Sequence, residues 1–313
     1  MLHLSVAILL ALPAALAADA SRRALFWLNP YSNATTSDYL RFWAQLAGPN
    51  ARAGHTFAAT MYALKPNASL GYADTPAGEA ENGYQMEAFG LPALRQLNVS
   101  RIYGRVFVTH PAAIAQMLAN PAPFIAQLLQ KAEEQGLAGF DVHYEPQGGG
   151  GAPAPLGGAQ GAAFMAFLAS LAAGLHAAGR ELSIDVGGCP ASDDFVCAGL
   201  ADPAALPGLV QVNTMDSFGV ASVGALEALQ DMDGDPGAGL GVRWAPGFQP
   251  ASSGQATTRS CMGFLGSAAA CGPCVGYVAT WAVTEWSEGP QPQWLFDAVN
   301  SFVDAPMLLE SAA

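Results

Sequence analysis

Three ionisable side chains alternate along one short segment, Gly139-Phe-Asp-Val-His-Tyr-Glu145. In a β-strand, successive residues point to opposite faces, so Asp141, His143 and Glu145 share one face and the apolar residues occupy the other. A carboxyl group whose pKa is set by its neighbours is a common general acid or base in enzymes. We therefore predict a catalytic role for Glu145, supported by Asp141 and His143. The alternative is a strand end whose polar groups only hydrogen-bond to one another.

Apolar runs of strand length recur through the chain, and each is followed by a segment with helical periodicity. The predicted strands cover residues 24–29, 56–64, 101–109, 139–145, 181–186, 209–215, 240–246 and 275–283. The predicted helices cover residues 37–46, 84–97, 111–135 with an interruption near Pro121, 159–178, 202–206, 223–229, 255–269 and 294–302. Ser37 or Asp38 is expected to cap the first helix.

This alternation is the pattern of a (β/α)8 barrel, or TIM barrel, so we predict an α/β fold with a single barrel over residues 18–313. A doubly wound open sheet is the alternative. In a barrel the carboxyl ends of the strands meet at the face where active sites are built. Besides the row on 139–145, the prediction brings to that face Asn29, Tyr62, His110, Asp185, Asn213, Met215, Asp216, Arg243, Trp281 and Glu285.

The segment 138–145 resembles the fourth-strand signature of family 18 glycoside hydrolases, the chitinases and their relatives, which is written DGxDxDxE. Gly139, Asp141 and Glu145 match this signature, whereas Ala138 and His143 stand where it has aspartates. The resemblance implies a divergent relative of the chitinases and of the endo-β-N-acetylglucosaminidases.

Two further stretches bear on this resemblance. On the sixth predicted strand, Gln211-Val-Asn-Thr-Met215 is similar to the family strand that carries a methionine and, two residues on, a catalytic tyrosine, but that position is Ser217. The serine-glycine-glycine signature of the third strand is replaced by Val106-Phe-Val-Thr109. Trp281 occupies a place comparable to the tryptophan that floors the sugar site in the family.

The resemblance implies hydrolysis beside an N-acetylhexosamine by a retaining mechanism in which the substrate's own acetamide oxygen is the nucleophile. Glu145 would be the general acid/base. His143 would accept the acetamide N–H as a neutral imidazole, with Asp141 as its hydrogen-bond partner, so activity would fall as His143 protonates in acid. The similar family 85 endoglycosidases have a neutral asparagine at that place. The expected substrate-binding residues are Asp185, Asn213, Met215, Asp216, Trp281 and Glu285.

Three other functions are compatible with the same residues. An inactive, lectin-like barrel would bind sugars without cleaving them. The segment Tyr144-Glu-Pro146 is also similar to the acid-bearing segment of two-glutamate retaining glycosidases. Those enzymes need a second acid on the seventh strand, and in this chain only Glu285 on the eighth strand could replace it. A metal-dependent hydrolase would use His110 and His143, yet the sequence lacks paired histidine spacing, so we predict no metal and no cofactor.

The net charge of −13 excludes nucleic acids and anionic membrane surfaces as partners and leaves a neutral glycan or oligosaccharide open. Residues 1–17 have the apolar run and small-residue end of a secretory signal peptide. Sequons at Asn33, Asn67 and Asn98 predict a secreted glycoprotein. No later segment has the length of a membrane span. We expect a monomer.

Five cysteines fit an oxidising compartment and a limited number of disulfide bonds. Cys189 with Cys197, and Cys261 with either Cys271 or Cys274, are the expected pairs, with one thiol left over. The tetrapeptide Cys271-Gly-Pro-Cys274 copies a redox motif, but a predicted strand follows it where a thioredoxin has a helix.

Overall fold

The computed structural model describes residues 23–28, 34–43, 55–72, 83–144, 158–186, 206–214, 222–224, 244–248, 254–265, 277–281 and 293–304. The described strands are β1 (Arg23–Trp27), β2 (Thr56–Leu64), β3 (Leu70–Tyr72), β4 (Arg101–Val108), β5 (Gly139–Tyr144), β6 (Glu181–Val186), β7 (Leu209–Thr214), β8 (Trp244–Phe248) and β9 (Tyr277–Trp281). The described helices are α1 (Thr36–Phe42), α2 (Leu91–Gln96), α3 (Pro111–Ala119), α4 (Ala122–Gln135), α5 (Gly158–Ala177), α6 (Gln255–Leu265) and α7 (Gln293–Val303). A π-helical turn at Met86–Gly90 precedes α2.

The sheet is parallel except for β3, which pairs antiparallel with the end of β2. The parallel strands pair in the order β1, β2, β4, β5, β6, β7, β8 and β9, and β9 pairs in turn with β1. The sheet therefore curls round so that its first strand contacts both the second and the last of the parallel series. This is the α/β arrangement that the alternating strand and helix patterns predict.

The two faces of the curled sheet bury different side chains. On β5, Phe140, Val142 and Tyr144 join the large apolar core beneath the helices. That core receives one stripe from each helix, and on α5 the stripe is Phe164, Phe167, Leu168, Leu171 and Leu175, at helical spacing. The inner face holds a smaller apolar cluster of Leu25, Trp27, Ala58, Tyr103 and Ala245. The polar residues of β5 lie on this inner face.

Two local signals fix the approach to β5. The helix α4 ends at Gly136, whose φ of 58° is left-handed and costs little for glycine. At Gly139, the first residue of β5, an added Cβ would collide with the backbone carbonyl of Glu181 on β6. A side chain at 139 would therefore push β5 away from β6.

The structure corrects one predicted helix cap and one predicted strand end, and it adds one strand that was not predicted. The first helix is capped by Thr35, not by Ser37 or Asp38, because Thr35 and Asp38 form a capping box in which each side chain bonds the other's backbone N–H. The strand predicted at 240–246 is described at Trp244–Phe248 and continues past Pro246. The short strand β3 was not predicted, since three residues give little period-two signal.

Several predictions concern residues outside the described ranges: the signal segment 1–17, the sequon at Asn33, the helix at 202–206, and Cys189, Cys197, Cys271 and Cys274. Within the described ranges, Cys261 is a buried free thiol, and burial raises its pKa to about 11. No single helix among the described residues has both the length and the apolar composition to cross a membrane. Taken together, α3 and α4 have that length and composition, but they are bent by 99° relative to each other.

Candidate active site

Strand register brings polar side chains of four neighbouring strands together in two layers on the inner face. The lower layer is Arg105, Asp141, Ser183 and Gln211. The upper layer, one step nearer the carboxyl ends of the strands, is Phe107, His143, Asp185 and Asn213. We call these residues, together with Trp27, the inner polar cluster. All its polar members are buried.

Asp141 lies at the centre of the inner polar cluster with 0% exposure. Its carboxylate accepts hydrogen bonds from Trp27 Nε1 at 2.8 Å, Ser183 Oγ at 2.5 Å and Asn213 Nδ2 at 3.1 Å. Burial, followed by the negative charge of Asp185, nevertheless raises the pKa of Asp141 to about 7. Asp141 can therefore exchange a proton near neutral pH.

Asp185 occupies the matching position on β6 and is equally buried. Its oxygens accept from Asn213 Nδ2 at 2.7 Å and Arg105 Nη2 at 3.4 Å, and Nδ1 of His143 lies 3.3 Å from Oδ2. Burial opposes ionisation of this carboxyl, but the hydrogen bond from His143 and the charge of Arg105 outweigh it, so the pKa of Asp185 is lowered. Asp185 is therefore the anion of the pair, while Asp141 holds a proton more readily.

Arg105 supplies the positive charge of the inner polar cluster and is 1% exposed. Its Nη2 pairs with Asp185, and its Nε lies 3.9 Å from Asp141 Oδ2. The guanidinium carbon sits 4.7 Å from the centre of the Phe107 ring and 5.5 Å from that of Trp27. Burial lowers the pKa of Arg105, but an arginine so close to two carboxylates stays charged.

The structure corrects one predicted contact of His143. Asp141 was expected to be its partner, but the imidazole faces Asp185 through Nδ1. The reason is the pleat: Asp141 lies two residues earlier on the same strand, whereas Asp185 is directly beside His143 on β6. The imidazole also packs on Phe107, with ring centres 5.1 Å apart.

Below the inner polar cluster, the amino end of the sheet is filled by an ion pair and apolar residues. Glu181 accepts hydrogen bonds from Arg101 Nη2 and Tyr103 Oη, both at 2.5 Å. Burial, then the charge of Glu181, raises the pKa of Tyr103 well above its ordinary value. The polar groups that can do chemistry therefore lie on the carboxyl-end side of this layer.

The predicted site residues divide into three groups. Asp141, His143, Asp185 and Asn213 come together in the inner polar cluster. Trp281 is the last residue of β9, in register with Trp27 of β1. The remaining ones, Glu145, Met215, Asp216 and Glu285, lie outside the described residues, as do Asn29 and Arg243.

Two further residues expected at the strand ends differ in placement. Tyr62 points toward the helices and donates to Glu87 at 2.7 Å, so it belongs to the outer layer. His110 follows the carboxyl end of β4, as expected, and is exposed as the N-cap residue of α3. Among the described residues, no group of three or more histidine, cysteine, aspartate or glutamate side chains is placed to hold a metal ion.

Sequence reasoning missed Trp27, Arg105, Ser183 and Gln211 as members of the inner polar cluster. A usable signal was present for Arg105, because a charged residue in the apolar run Ile102-Tyr-Gly-Arg-Val-Phe-Val108 is as anomalous as Asp141 is in β5. Ser183 and Gln211 carry no such signal, since short polar residues are common in strands. They are recognised only through register.

An inner face that carries a buried acid–base cluster below the carboxyl ends of parallel strands defines an α/β protein with an enzyme-like site. Comparison with solved structures shows that the fold of this chain is similar to that of chitinases. A chitinase from Chromobacterium violaceum superposes with a TM-score of 0.60 at 14% identity, covering 91% of this chain and 99% of that one. A class V chitinase from Pseudomonas fluorescens gives 0.60 at 14% identity, covering 90% and 99%.

A family 18 chitinase from Cycas revoluta, solved with (GlcNAc)3, has a TM-score of 0.53 at 12% identity and covers 90% of this chain and 100% of that one. The resemblance predicted from the sequence is thus confirmed as a likeness of fold to family 18 chitinases. No protein-family model matches the chain. A search of curated proteins also gave no match.

Proposed function

We propose that this chain is a secreted glycoside hydrolase of the family 18 type that acts on glycans containing N-acetylhexosamine. The observation that carries the proposal is that Asp141 and His143 lie on the same face of β5 and have buried hydrogen-bond partners. Glu145 follows them two residues later in the sequence. The likeness of fold to chitinases supports the same conclusion. We also infer a single closed (β/α)8 barrel, supported by the pairing of β1 with both β2 and β9.

Glu145 acts as the general acid that protonates the leaving oxygen, and later as the base that activates water. The acetamide oxygen of the substrate is the nucleophile, so one enzymic carboxyl suffices. His143 meets the acetamide N–H. Asp141 lies below His143 on β5 and can exchange a proton near neutral pH. Retention at the anomeric carbon follows from the two successive displacements.

The substrate lies across the carboxyl ends of the strands in this proposal. Met215, Asp216, Trp281 and Glu285 contact the glycan, and the tryptophan forms an apolar floor for a sugar ring. Asp185 and Asn213 are fully buried, so they support the site from below through His143 and Asp141.

The test is hydrolysis of a panel of chitooligosaccharides and N-glycopeptides by the wild type and by Glu145→Gln, with binding measured in parallel. We expect turnover by the wild type and a loss on the order of 1,000-fold or more in the variant. The control is Glu133→Gln, an exposed position on α4 that should leave turnover unchanged. Binding without turnover by the wild type would instead make the chain a lectin.

A further inference from the structure

Phe107 is the aromatic member of the upper layer of the inner polar cluster. It lies at the same register as His143 on β5 and Ala63 on β2, at the last inner-facing position of β4. Whereas His143, Asp185 and Asn213 are buried, Phe107 is half-buried. A partly accessible aromatic ring therefore lies beside buried polar groups near the carboxyl ends of the strands.

Two neighbours hold the Phe107 ring. The guanidinium carbon of Arg105 lies 4.7 Å from the ring centre, and the imidazole of His143 packs on the ring with 5.1 Å between ring centres. Arg105 belongs to the lower layer, so it covers the ring on the side of the amino end of the sheet. The accessible part of the ring consequently faces the carboxyl ends of the strands.

The residue beside Phe107 on β2 is small. Ala63 is half-buried, and its methyl group is too short to cover a phenyl ring. A ligand that enters at the carboxyl ends of the strands can therefore reach Phe107 both from above and from the side of β2.

We propose that Phe107 is a sugar-binding residue whose ring packs against the C–H face of a pyranose. This inference rests on the proposed function and adds to it an apolar contact that selects the shape of the sugar. A pyranose whose substituents are all equatorial, such as β-linked N-acetylglucosamine, has axial C–H bonds on both faces. These bonds carry a small positive charge, and the face of an aromatic ring is negative.

The surroundings of the ring suit a neutral ligand with hydroxyl groups. Binding pockets combine apolar, aromatic walls with a few polar groups that fix orientation. The positive charge of Arg105 is paired with Asp185 within the cluster, so this layer does not select for an ion of either sign. Because Arg105 and His143 already hold Phe107, binding costs little further ordering of its side chain.

Equilibrium binding of chitotriose, the N-acetylglucosamine trimer, tests the contact. Binding is measured in the Glu145→Gln background, so that the ligand is not consumed. We expect Phe107→Ala to raise the Kd by about 5-fold or more, and Phe107→Tyr, which keeps the ring, to restore most of that loss. A rise of less than about 5-fold in Phe107→Ala would overturn the proposal.

The matched control is Phe89→Ala. Phe89 is also half-buried, but it packs against the large core on the outer side of the sheet. This substitution should lower stability as a loss of packing does, yet leave the Kd for chitotriose within about 2-fold of the parent. An equal rise in Kd in both variants would show that Phe107 acts through the stability of the fold, which would also overturn the proposal.

A second measurement leaves Phe107 unsubstituted and so does not depend on how well a variant folds. At saturating chitotriose, the ring protons of Phe107 should give nuclear Overhauser effects to C–H protons of one sugar unit, and the ring current should shift those sugar protons upfield. Saturation without any such Overhauser effect would overturn the proposal.

The failures of the two proposals are distinguishable. Hydrolysis that depends on Glu145, together with a Kd that does not depend on Phe107, would overturn the sugar contact and leave the proposed function standing. Binding that depends on Phe107 without hydrolysis by the wild type would support the contact and overturn the hydrolase. A wild type that neither binds nor hydrolyses chitooligosaccharides would overturn both.

Discussion

The indole Nε1 of Trp27 donates a hydrogen bond to Oδ2 of Asp141 at 2.8 Å, although their strands β1 and β5 are separated in the sheet by β2 and β4. This contact spans the inside of the curled sheet. It ties the candidate site to the first strand of the chain, so the amino-terminal segment of the fold helps to hold the acid–base cluster.

Trp27→Phe should therefore destabilise the protein by removing a hydrogen bond to a buried carboxyl, at a cost of about 1–3 kcal/mol in the free energy of unfolding. Urea unfolding measures this. The control is Trp43→Phe, which trims a buried indole on the outer layer. The two variants should differ in pH dependence, because Trp27, unlike Trp43, stabilises the charged form of Asp141. Identical pH profiles would contradict the assignment.

Asp141→Asn should change how stability depends on pH. The folded pKa of about 7 lies above the ordinary 3.8, because burial and then Asp185 disfavour the anion. The folded state thus binds more protons between these values, and this group's contribution falls as pH rises from about 4 to 7, with a slope of up to about 1.4 kcal/mol per pH unit. The difference in unfolding free energy between wild type and variant, measured across this range, should show that slope. A constant difference would refute it.

His55 should act in the opposite direction. It is 3% exposed, both ring nitrogens lack hydrogen-bond partners among the described residues, and it packs edge-on against Phe26. Burial lowers its pKa to about 4, opposed by the charge of Asp304. The neutral ring is favoured in the folded state, so stability is lost as pH falls from 6.5 to about 4, by about 3 kcal/mol in total.

His55→Leu should remove this acid-dependent loss, as measured by thermal unfolding at pH 4.5 and 7.5. The control, His176→Gln on the exposed surface of α5, should retain it. A variant that loses stability in acid as steeply as the wild type would contradict the role of His55.

Arg105→Met should destabilise the fold by about 3–5 kcal/mol, because it leaves the Asp185 anion buried without its cation. Adding Asp185→Asn should recover part of that loss, since the uncompensated charge is then gone. The double-mutant cycle in chemical denaturation gives the coupling energy. Additive losses would show that Arg105 acts by packing on Trp27 and Phe107 alone.

Substitution by alanine should have opposite effects on stability at two glycines. Gly139→Ala should cost about 3 kcal/mol or more and disturb the register that brings His143 beside Asp185, because the new Cβ meets the Glu181 carbonyl. Gly263→Ala in α6 has no atom within 4 Å of the new Cβ and should stabilise the protein by about 0.5–1 kcal/mol. Thermal melts of both variants test the pair.

Much of this fold could be predicted from the sequence because each parallel strand is a short apolar run with clear ends. Strands β2 and β6 begin and end at the predicted residues. The cap at Thr35 was missed because three consecutive capping-competent residues, Thr35, Thr36 and Ser37, precede the helix face, and only geometry selects among them. The sequence alone also located Asp141 and His143, since ionisable residues interrupt an apolar strand there.

The partners of those residues could not be predicted in the same way. Which side chain on β6 faces His143 depends on the stagger between β5 and β6. Which residue of β7 then lies beside Asp185 depends on a register shift between Leu182 and Ser183 that has no sequence signature. The contact from Trp27 to Asp141 depends on curvature of the whole sheet. Such contacts depend on how distant strands come together in three dimensions, so the local sequence pattern does not predict them.

The amino end of the sheet has a consequence for proton exchange. Arg101, Tyr103 and Glu181 are linked there by hydrogen bonds, and Tyr103 packs in one cluster with Leu25 and Trp27. Asp141 is fully buried, so exchange of its proton with water depends on movement of the side chains around it or on transfer through its hydrogen-bond partners. We therefore expect Asp141 to change its protonation state more slowly than an exposed carboxyl.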